Sequence, residues 1–245
     1  MAVILNIETS NTACSVALTA EGMVLHHLEN MDGRNHASLL SDFIKAMLDF
    51  AAEKEIKLEA VAVSLGPGSY TGLRIGLSEA KGIAYGLDIP LIGISTLELM
   101  TTRVMFSSDA ITDDTIFVPM IDARRMEVYT AAYDFGLQRL MEPSALILTE
   151  ENNPYRGILD LNRPVLFFGN GMPKWREAIK DNPGLIASDD TRIVFVDNVE
   201  PLAVDMIALS ERAYSARDFI DTAYSVPTYL KDFQATRPRD ILHSL

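Results

Sequence analysis

Two apolar rhythms alternate along this chain. Short β-branched runs end in glycine or polar turns, and longer stretches repeat their apolar residues every three or four positions. The first rhythm predicts buried strands and the second predicts helices. Residues 3–7 form an apolar strand that runs into the polar turn Glu8-Thr9-Ser10-Asn11-Thr12. Residues 14–19 alternate as a second strand. Glu21-Gly22 is a tight-turn signal and residues 23–29 make a third strand, so these three read as an antiparallel meander. After a polar loop, residues 36–54 predict a long helix that is apolar at Leu39, Leu40, Phe43, Ile44, Met47, Leu48, Phe50 and Ala51. That side is wider than one core-facing stripe. It predicts burial on two sides, one of them against another chain.

The stretch 61–95 organises the rest. Residues 61–65 are an apolar strand, Gly66-Pro67-Gly68 breaks it, and a helix is predicted over 71–86 after Ser69 and Tyr70. Glycine lets a backbone turn sharply and approach a neighbour with no Cβ in the way. The free N–H groups of a helix start point at whatever sits above the strand end. Along this helix Gly72, Gly76, Ala80 and Ala84 fall four apart and make one smooth stripe, to which Gly82 and Gly86 add small surface. Each glycine costs a helix about 1 kcal/mol relative to alanine. Close packing against the chain's own sheet or another chain's helix offsets that cost. A strand over 90–94 completes the order βββαβαβ.

Polar residues 107–114 mark a boundary, and the order then starts again. IFVPMID at 116–122 resembles VILNIE at 3–8, an apolar strand ending in a carboxylate. Residues 127–133 are the strand that follows. PVLFFGNG at 164–171 resembles AVAVSLGPG at 60–68, and a helical segment containing Trp175 comes next. Two halves with one order of elements predict a duplicated α/β fold with a cleft between lobes. The lobes are 1–105 and a shorter, degenerate 106–225 that closes with an amphipathic helix over 204–220. The remainder, 226–245 with Pro238, reads as a polar, irregular tail.

At 245 residues and 48% apolar content, the chain buries a sizeable core and is not disordered. No apolar run has the length of a membrane span, so no membrane partner is expected. The start lacks a basic segment and a cleavage site and is interrupted by Glu8, so it reads as a first strand, not a signal peptide. Cys14 is the only cysteine, which excludes an internal disulfide and makes the cytoplasm the expected compartment. A formal net charge of −13 argues against a direct grip on nucleic acid, whose phosphates call for a basic surface. It fits an acidic subunit beside a basic partner.

Candidate chemistry gathers at strand ends, where open sheets collect ligands. Thr9, Ser10, Asn11 and Thr12, with Gly66, Gly68, Ser69, Thr71 and Gly72, offer hydroxyls and amides without a local lysine or arginine. That set suits a loosely held phosphate, and equally ordinary turn and helix-cap chemistry. No lysine follows Gly72, as a P-loop requires, and Thr71 takes the place of the third glycine of a dinucleotide fingerprint. Glu8 and Asp122 end equivalent strands. They could face each other across the cleft, holding Mg²⁺ through water or exchanging protons. Otherwise Asp122 pairs with Arg124 or Arg125 and Glu8 caps its own turn. Arg74, Glu79 and Lys81 read as a solvated or interface face. His26, His27, His36 and His243 lack metal-ligand spacing. His36 suits a helix cap, and Cys14 an inert buried thiol.

Ile7-Glu8-Thr9-Ser10, the long helix after Asn35-His36, LGPGSYTGLRIG at 65–76, the stretch 92–100 and Asp122-Ala123-Arg124-Arg125 together resemble the bacterial TsaB family. The likeness runs in order over most of the chain and is closest through residue 133. That family is similar in turn to the TsaD threonylcarbamoyl transferases. The two share the duplicated acetate kinase/Hsp70/actin-like fold, with mixed sheets and helices, and an old glycoprotease label. One departure separates them. In TsaD-like proteins the strand after the small-residue helix leads into His-x3-His, which binds the catalytic metal. Here that place reads Ser95-Thr96-Leu97-Glu98-Leu99, with serine and leucine at the ligand positions.

The resemblance implies a non-catalytic subunit in the synthesis of N6-threonylcarbamoyladenosine (t6A) beside the tRNA anticodon. Its partners would be a TsaD-like transferase and a TsaE-like ATPase. It would touch tRNA only through the complex and form a homodimer in isolation. No metal and no cofactor of its own is implied, with ATP and Mg²⁺ at most weakly held at an interface with the partner. The expected partner face is Leu40, Phe43, Ile44 and Met47 of the first helix with Leu73, Gly76, Leu77 and Ala80 of the small-residue helix. Two other readings of the fold stay open. One is an ATP-dependent small-molecule phosphotransferase, with Gly169-Asn170-Gly171 as the thin remnant of an adenosine pocket. The other is a peptidase, for which neither a metal triad nor a nucleophile–base pair stands out.

Overall fold

A computed structural model describes residues 2–33, 36–107, 111–148, 153–186 and 190–231, with residues 36 and 37 described by backbone alone. The capping role expected of His36, together with His243 and Pro238 in the tail, lies outside the described residues.

The apolar strands assemble into two sheets. The first contains β1 (Val3–Glu8), β2 (Cys14–Ala20), β3 (Met23–Asn30), β4 (Ala60–Gly66) and β5 (Leu91–Ser95), in the order β3-β2-β1-β4-β5. β1, β2 and β3 pair antiparallel, while β1, β4 and β5 run parallel. The second contains β6 (Ile116–Asp122), β7 (Glu127–Tyr133), β8 (Arg139–Ile147), β9 (Val165–Phe168) and β10 (Ile193–Val196), in the order β10-β9-β6-β7-β8. Read from the opposite edge, this is the same topology, with β6 in the place of β1 and β9 in the place of β4. The pairing directions repeat as well. The duplication read in the sequence is therefore real, and the fold is of the acetate kinase/Hsp70/actin type.

Helices cover the sheets. α1 (His36–Glu53) and α2 (Tyr70–Leu87) lie on one face of the first sheet, over Leu5, Ile7, Val16, Leu18, Val61 and Val63. α3 (Thr96–Met105) lies between the sheets. Its Leu99 joins Ile4, Ala62 and Ile92 of the first sheet, while Leu97, Met100 and Val104 join Phe117, Ile121 and Phe168 of the second. α4 (Arg156–Leu159) and α5 (Met172–Asp181) cover the far face of the second sheet. There Tyr155 packs edge-on against Trp175 and Phe167, with ring centroids 5.0 and 5.2 Å apart. α6 (Ile207–Ala216) follows a 3-10 turn, Ala203–Met206. Among the described residues no helix is long and apolar enough to cross a membrane.

The sequence pattern did not predict α3, β8 or β10. Thr96, Leu97, Leu99, Met100, Thr101, Thr102, Val104 and Met105 are all buried, so α3 lacks the polar face that makes a helix visible in a sequence. Two of its three threonines are satisfied internally: Thr101 Oγ1 donates to the Leu97 carbonyl and Thr102 Oγ1 to that of Leu99, both at 2.8 Å, while Thr96 Oγ1 is buried with no hydrogen-bond partner among the described residues.

The lobe boundary also needs correction. The helix expected over 204–220 as the end of the second lobe stops where Arg217 turns left-handed (φ 57°). It packs on the first sheet, where Met206 and Leu209 meet Ile4 and Ile94. Through Thr228 the chain then stays with the first lobe, and Lys231 reaches Glu127 of the second. The Ile220 amide donates to the Leu91 carbonyl at 2.9 Å, and the Thr228 amide to that of Leu65 at 2.7 Å.

The expected partner face is corrected too. Leu40, Ile44 and Met47 of α1, and Leu73, Gly76, Leu77 and Ala80 of α2, are buried in the chain's own core, and Phe43 is half-buried against it. The surplus apolar surface of α1 is absorbed by the sheet and by α2. The small stripe of α2 meets β1, not another chain. A Cβ at Gly72 would overlap the Thr9 carbonyl oxygen, and one at Gly76 the Thr9 hydroxyl. Gly72→Ala is therefore expected to lower the free energy of unfolding by about 3 kcal/mol, because backbone must move to admit it. Gly82→Ala, where a Cβ meets nothing within 4 Å, is expected to raise it by up to about 1 kcal/mol. Urea denaturation of the two variants checks both signs.

Candidate functional site

The end of β1 and the start of α2 form the centre of the predicted site. The strand emerges as Glu8-Thr9-Ser10, and α2 begins at Ser69, whose hydroxyl accepts from the Gly72 amide at 3.2 Å. The two loops hold each other. The Ser69 amide donates to the Ser10 carbonyl at 2.6 Å, and Thr9 Oγ1 donates to the Gly72 carbonyl at 2.8 Å. Thr9, Ser10, Gly68, Ser69 and Gly72 are thus brought together as expected. Gly66 (φ 111°) turns beneath the Thr228 carbonyl, and Thr71 faces outward. The Ser10, Ser69 and Gly72 amides and the Thr9 hydroxyl are thus engaged by the protein itself.

Glu8 and Asp122 sit at equivalent strand ends in unlike surroundings. Glu8 is fully buried, so it does not face Asp122 across an open cleft. Its Oε1 accepts from the Ser10 amide at 2.5 Å, and its Oε2 has no hydrogen-bond partner. Burial pushes the Glu8 carboxyl up to about 7, opposed by Ser10 and Ser64 and helped by the charge of Asp205. The Ser10 and Ser64 hydroxyls stand close enough to favour the carboxylate but make no well-formed hydrogen bond. Beside it the Cys14 thiol is pushed up to about 11 by burial and by Glu8, which keeps it protonated and inert.

Asp122 is exposed and paired. Its Oδ1 accepts from Lys174 Nζ and from the Arg124 amide, each at 2.6 Å. The expected pairing with an arginine is thereby corrected: Arg124 offers only its backbone, and the cation is Lys174 from α5. The Asp122 amide donates to Asn170 Oδ1 at 2.8 Å, and Asn170 Nδ2 reaches Asn11 Oδ1 across the lobes at 2.7 Å. Asn170 lies in the Gly-Asn-Gly turn singled out by the sequence, but a lone Lys174 in a helix gives no such signal.

The side chains read as a solvated or interface face on α2 turn to their own chain. Arg74 Nε donates to the Tyr229 hydroxyl at 3.0 Å and lies 4.1 Å from the Tyr70 ring centre. Lys81 donates to the Ala223 and Ser225 carbonyls at 3.0 and 2.8 Å, and Glu79 accepts from Ser41 at 2.8 Å.

The position of the transferase metal site does not fit a metal. Ser95 Oγ accepts from the Glu98 amide at 3.4 Å and starts α3, and Leu99 is fully enclosed in the core. Glu98 lies within 3.3 Å of Arg139 and 3.9 Å of Arg212. Among the described residues no group of three or more His, Cys, Asp or Glu is placed to hold a metal ion.

Comparison with known proteins shows the family. Residues 29–237 match the family model of TsaD, tRNA N6-adenosine threonylcarbamoyltransferase, and the chain belongs to that family. Within it, the chain falls with the TsaB proteins. It is 30% identical to the tRNA threonylcarbamoyladenosine biosynthesis protein TsaB of Escherichia coli over 232 residues, 94% of each chain. It is 31% identical to the TsaB of Bacillus subtilis over 180 residues, 73% of this chain and 75% of that one. Among solved structures, YeaZ from Pseudomonas aeruginosa matches with a TM-score of 0.73 at 23% identity, covering 94% of this chain and all of that one, which shows the fold.

Glu8 makes stability depend on pH. Its folded-state pKa of about 7 lies above the ordinary 4.5, so the folded chain holds the proton more tightly. The contribution is fully present below about pH 4.5 and is lost as pH rises to about 7. The loss is of order 3 kcal/mol. Glu8→Gln is expected to flatten this decline, and denaturant unfolding at a series of pH values checks it.

Proposed function

We propose that this chain is a non-catalytic subunit in the biosynthesis of N6-threonylcarbamoyladenosine in tRNA. It supports a TsaD-type transferase together with a TsaE-type ATPase, in the cytoplasm. The reading rests on one observation. The chain has the family's frame but uses Ser95 to start a helix and Leu99 to fill the core. Neither side chain supplies the nitrogen that a catalytic metal of the His-x3-His kind requires. The glycine turn is bonded to Thr9 and Ser10, so ATP and Mg²⁺ are assigned to an interface shared with the partner and held weakly by this chain alone.

A subunit without chemistry of its own acts through contact. The docking flank assigned to it is the outward side of α1 and α2: Asp42, Lys45, Thr71, Ser78, Gly82 and Tyr85, all exposed. A copy of the same chain uses that flank in isolation.

Reconstitution tests the assignment. The purified chain alone is expected to leave tRNA unmodified. Added to the transferase and the ATPase, it is expected to raise modified adenosine about tenfold, read by mass spectrometry of nucleosides. Modification by the isolated chain, or no gain on adding it, overturns the reading. Gly82→Arg tests the flank, because a side chain there enters open space and replaces a helix glycine. The variant is expected to fold normally and to bind the transferase roughly tenfold more weakly or worse; unchanged affinity in a calorimetric titration would place the interface elsewhere.

A further inference from the structure

We propose that the tip between β6 and β7, carrying Arg124 and Arg125 with Lys174 and Lys231 behind them, contacts the phosphate backbone of the RNA on which the complex acts. This rests on the function proposed above and names a surface that reading leaves unassigned.

The first observation is pairing. Arg103, Arg139, Arg156, Arg163, Arg176, Arg192 and Arg212 all face a carboxylate within 4.0 Å, and Arg74 is held by Tyr229 and Tyr70. Arg124 and Arg125 are exposed, and among the described residues neither guanidinium has an ion pair or hydrogen bond. Arg217, at the end of α6, shares that condition, but alone. Two adjacent unpaired guanidiniums stand out in a chain of net charge −13, where carboxylates are plentiful.

The second observation is the backbone. Arg124 and Arg125 have φ of +69° and +51°. Two left-handed residues in succession at a hairpin tip are the place for Asn and Gly. Two arginines hold it against that preference, and strain kept at a surface tip argues for a use of the side chains.

The third is what surrounds them. Lys174 reaches Asp122 and the Glu127 carbonyl, and Lys231 pairs with Glu127. Four cations thus meet two carboxylates in a chain that is acidic overall. Tyr129 is half-buried and close enough to Lys231, Glu127 and Arg124 to feel all three charges. Guanidinium forks match phosphate oxygens, and two side by side suit successive phosphates of a nucleic-acid backbone. The tip also adjoins Asp122 and the Asn170–Asn11 link between the lobes.

The test uses the complex reconstituted with the transferase and unmodified tRNA transcript. Arg124→Asn/Arg125→Gly installs the residues that the turn prefers, so the chain is expected to fold and assemble as before, with an equal or higher melting temperature. By fluorescence anisotropy, tRNA affinity is expected to fall about tenfold, and the slope of log K against log salt to shrink by about 2. Arg124→Lys/Arg125→Lys keeps the charge and is expected to restore most of both. Unchanged affinity and slope overturn the proposal. Loss of assembly with the transferase overturns it as well, since the arginines then serve a protein. A wild-type chain that does not assemble at all brings down the function above along with this contact, a result distinct from either.

Discussion

α2 approaches the end of β1 with no room for a side chain between them, and much else follows from that. Thr9 and Ser10 occupy the space in which side chains at 68, 72 and 76 would otherwise stand. Only glycine admits that approach, and it lets Ser69 bond the Ser10 carbonyl while Thr9 bonds that of Gly72. The turn that looks like a phosphate loop in the sequence is therefore fixed by its neighbour's backbone. The same contact seats α2 on the sheet, with Leu73, Leu77 and Ala80 turned inward. That geometry serves folding directly, since the same bonds that close the turn hold the helix to the strand.

Much of this was legible in the residues. The strands of the first lobe, the small-residue helix and the repeated order of elements all follow from local rhythm, and the two sheets confirm the duplication strand by strand. What rhythm cannot carry is the identity of the neighbour. The stripe on α2 fits the chain's own sheet or another chain alike, since either leaves the same small residues at the same spacing. α3 escaped because burial all round erases the periodic signal. α6 showed its apolar face, but nothing local says which of two sheets that face covers.

The site was legible in its membership more than in its chemistry. Glu8 and Asp122 hold matching places in the repeat and differ in every physical respect. The difference comes from residues far away in sequence. The 3-10 turn carrying Asp205 packs against β1 and β2 near Glu8, while Lys174 of α5 reaches Asp122. Net charge has a similar limit. A total of −13 describes the average surface, and an average is silent about a single hairpin tip of the opposite sign.

The return of the chain to the first sheet has a consequence for how such a molecule can change. The second lobe leaves through α3 and comes back just ahead of the 3-10 turn at Ala203–Met206. It is thus an insert in a first lobe that holds both β1 and the chain from Ala203 to Thr228. A module joined at two neighbouring points can be shortened or reshaped over generations while the lobe that carries α1 and α2 keeps its shape.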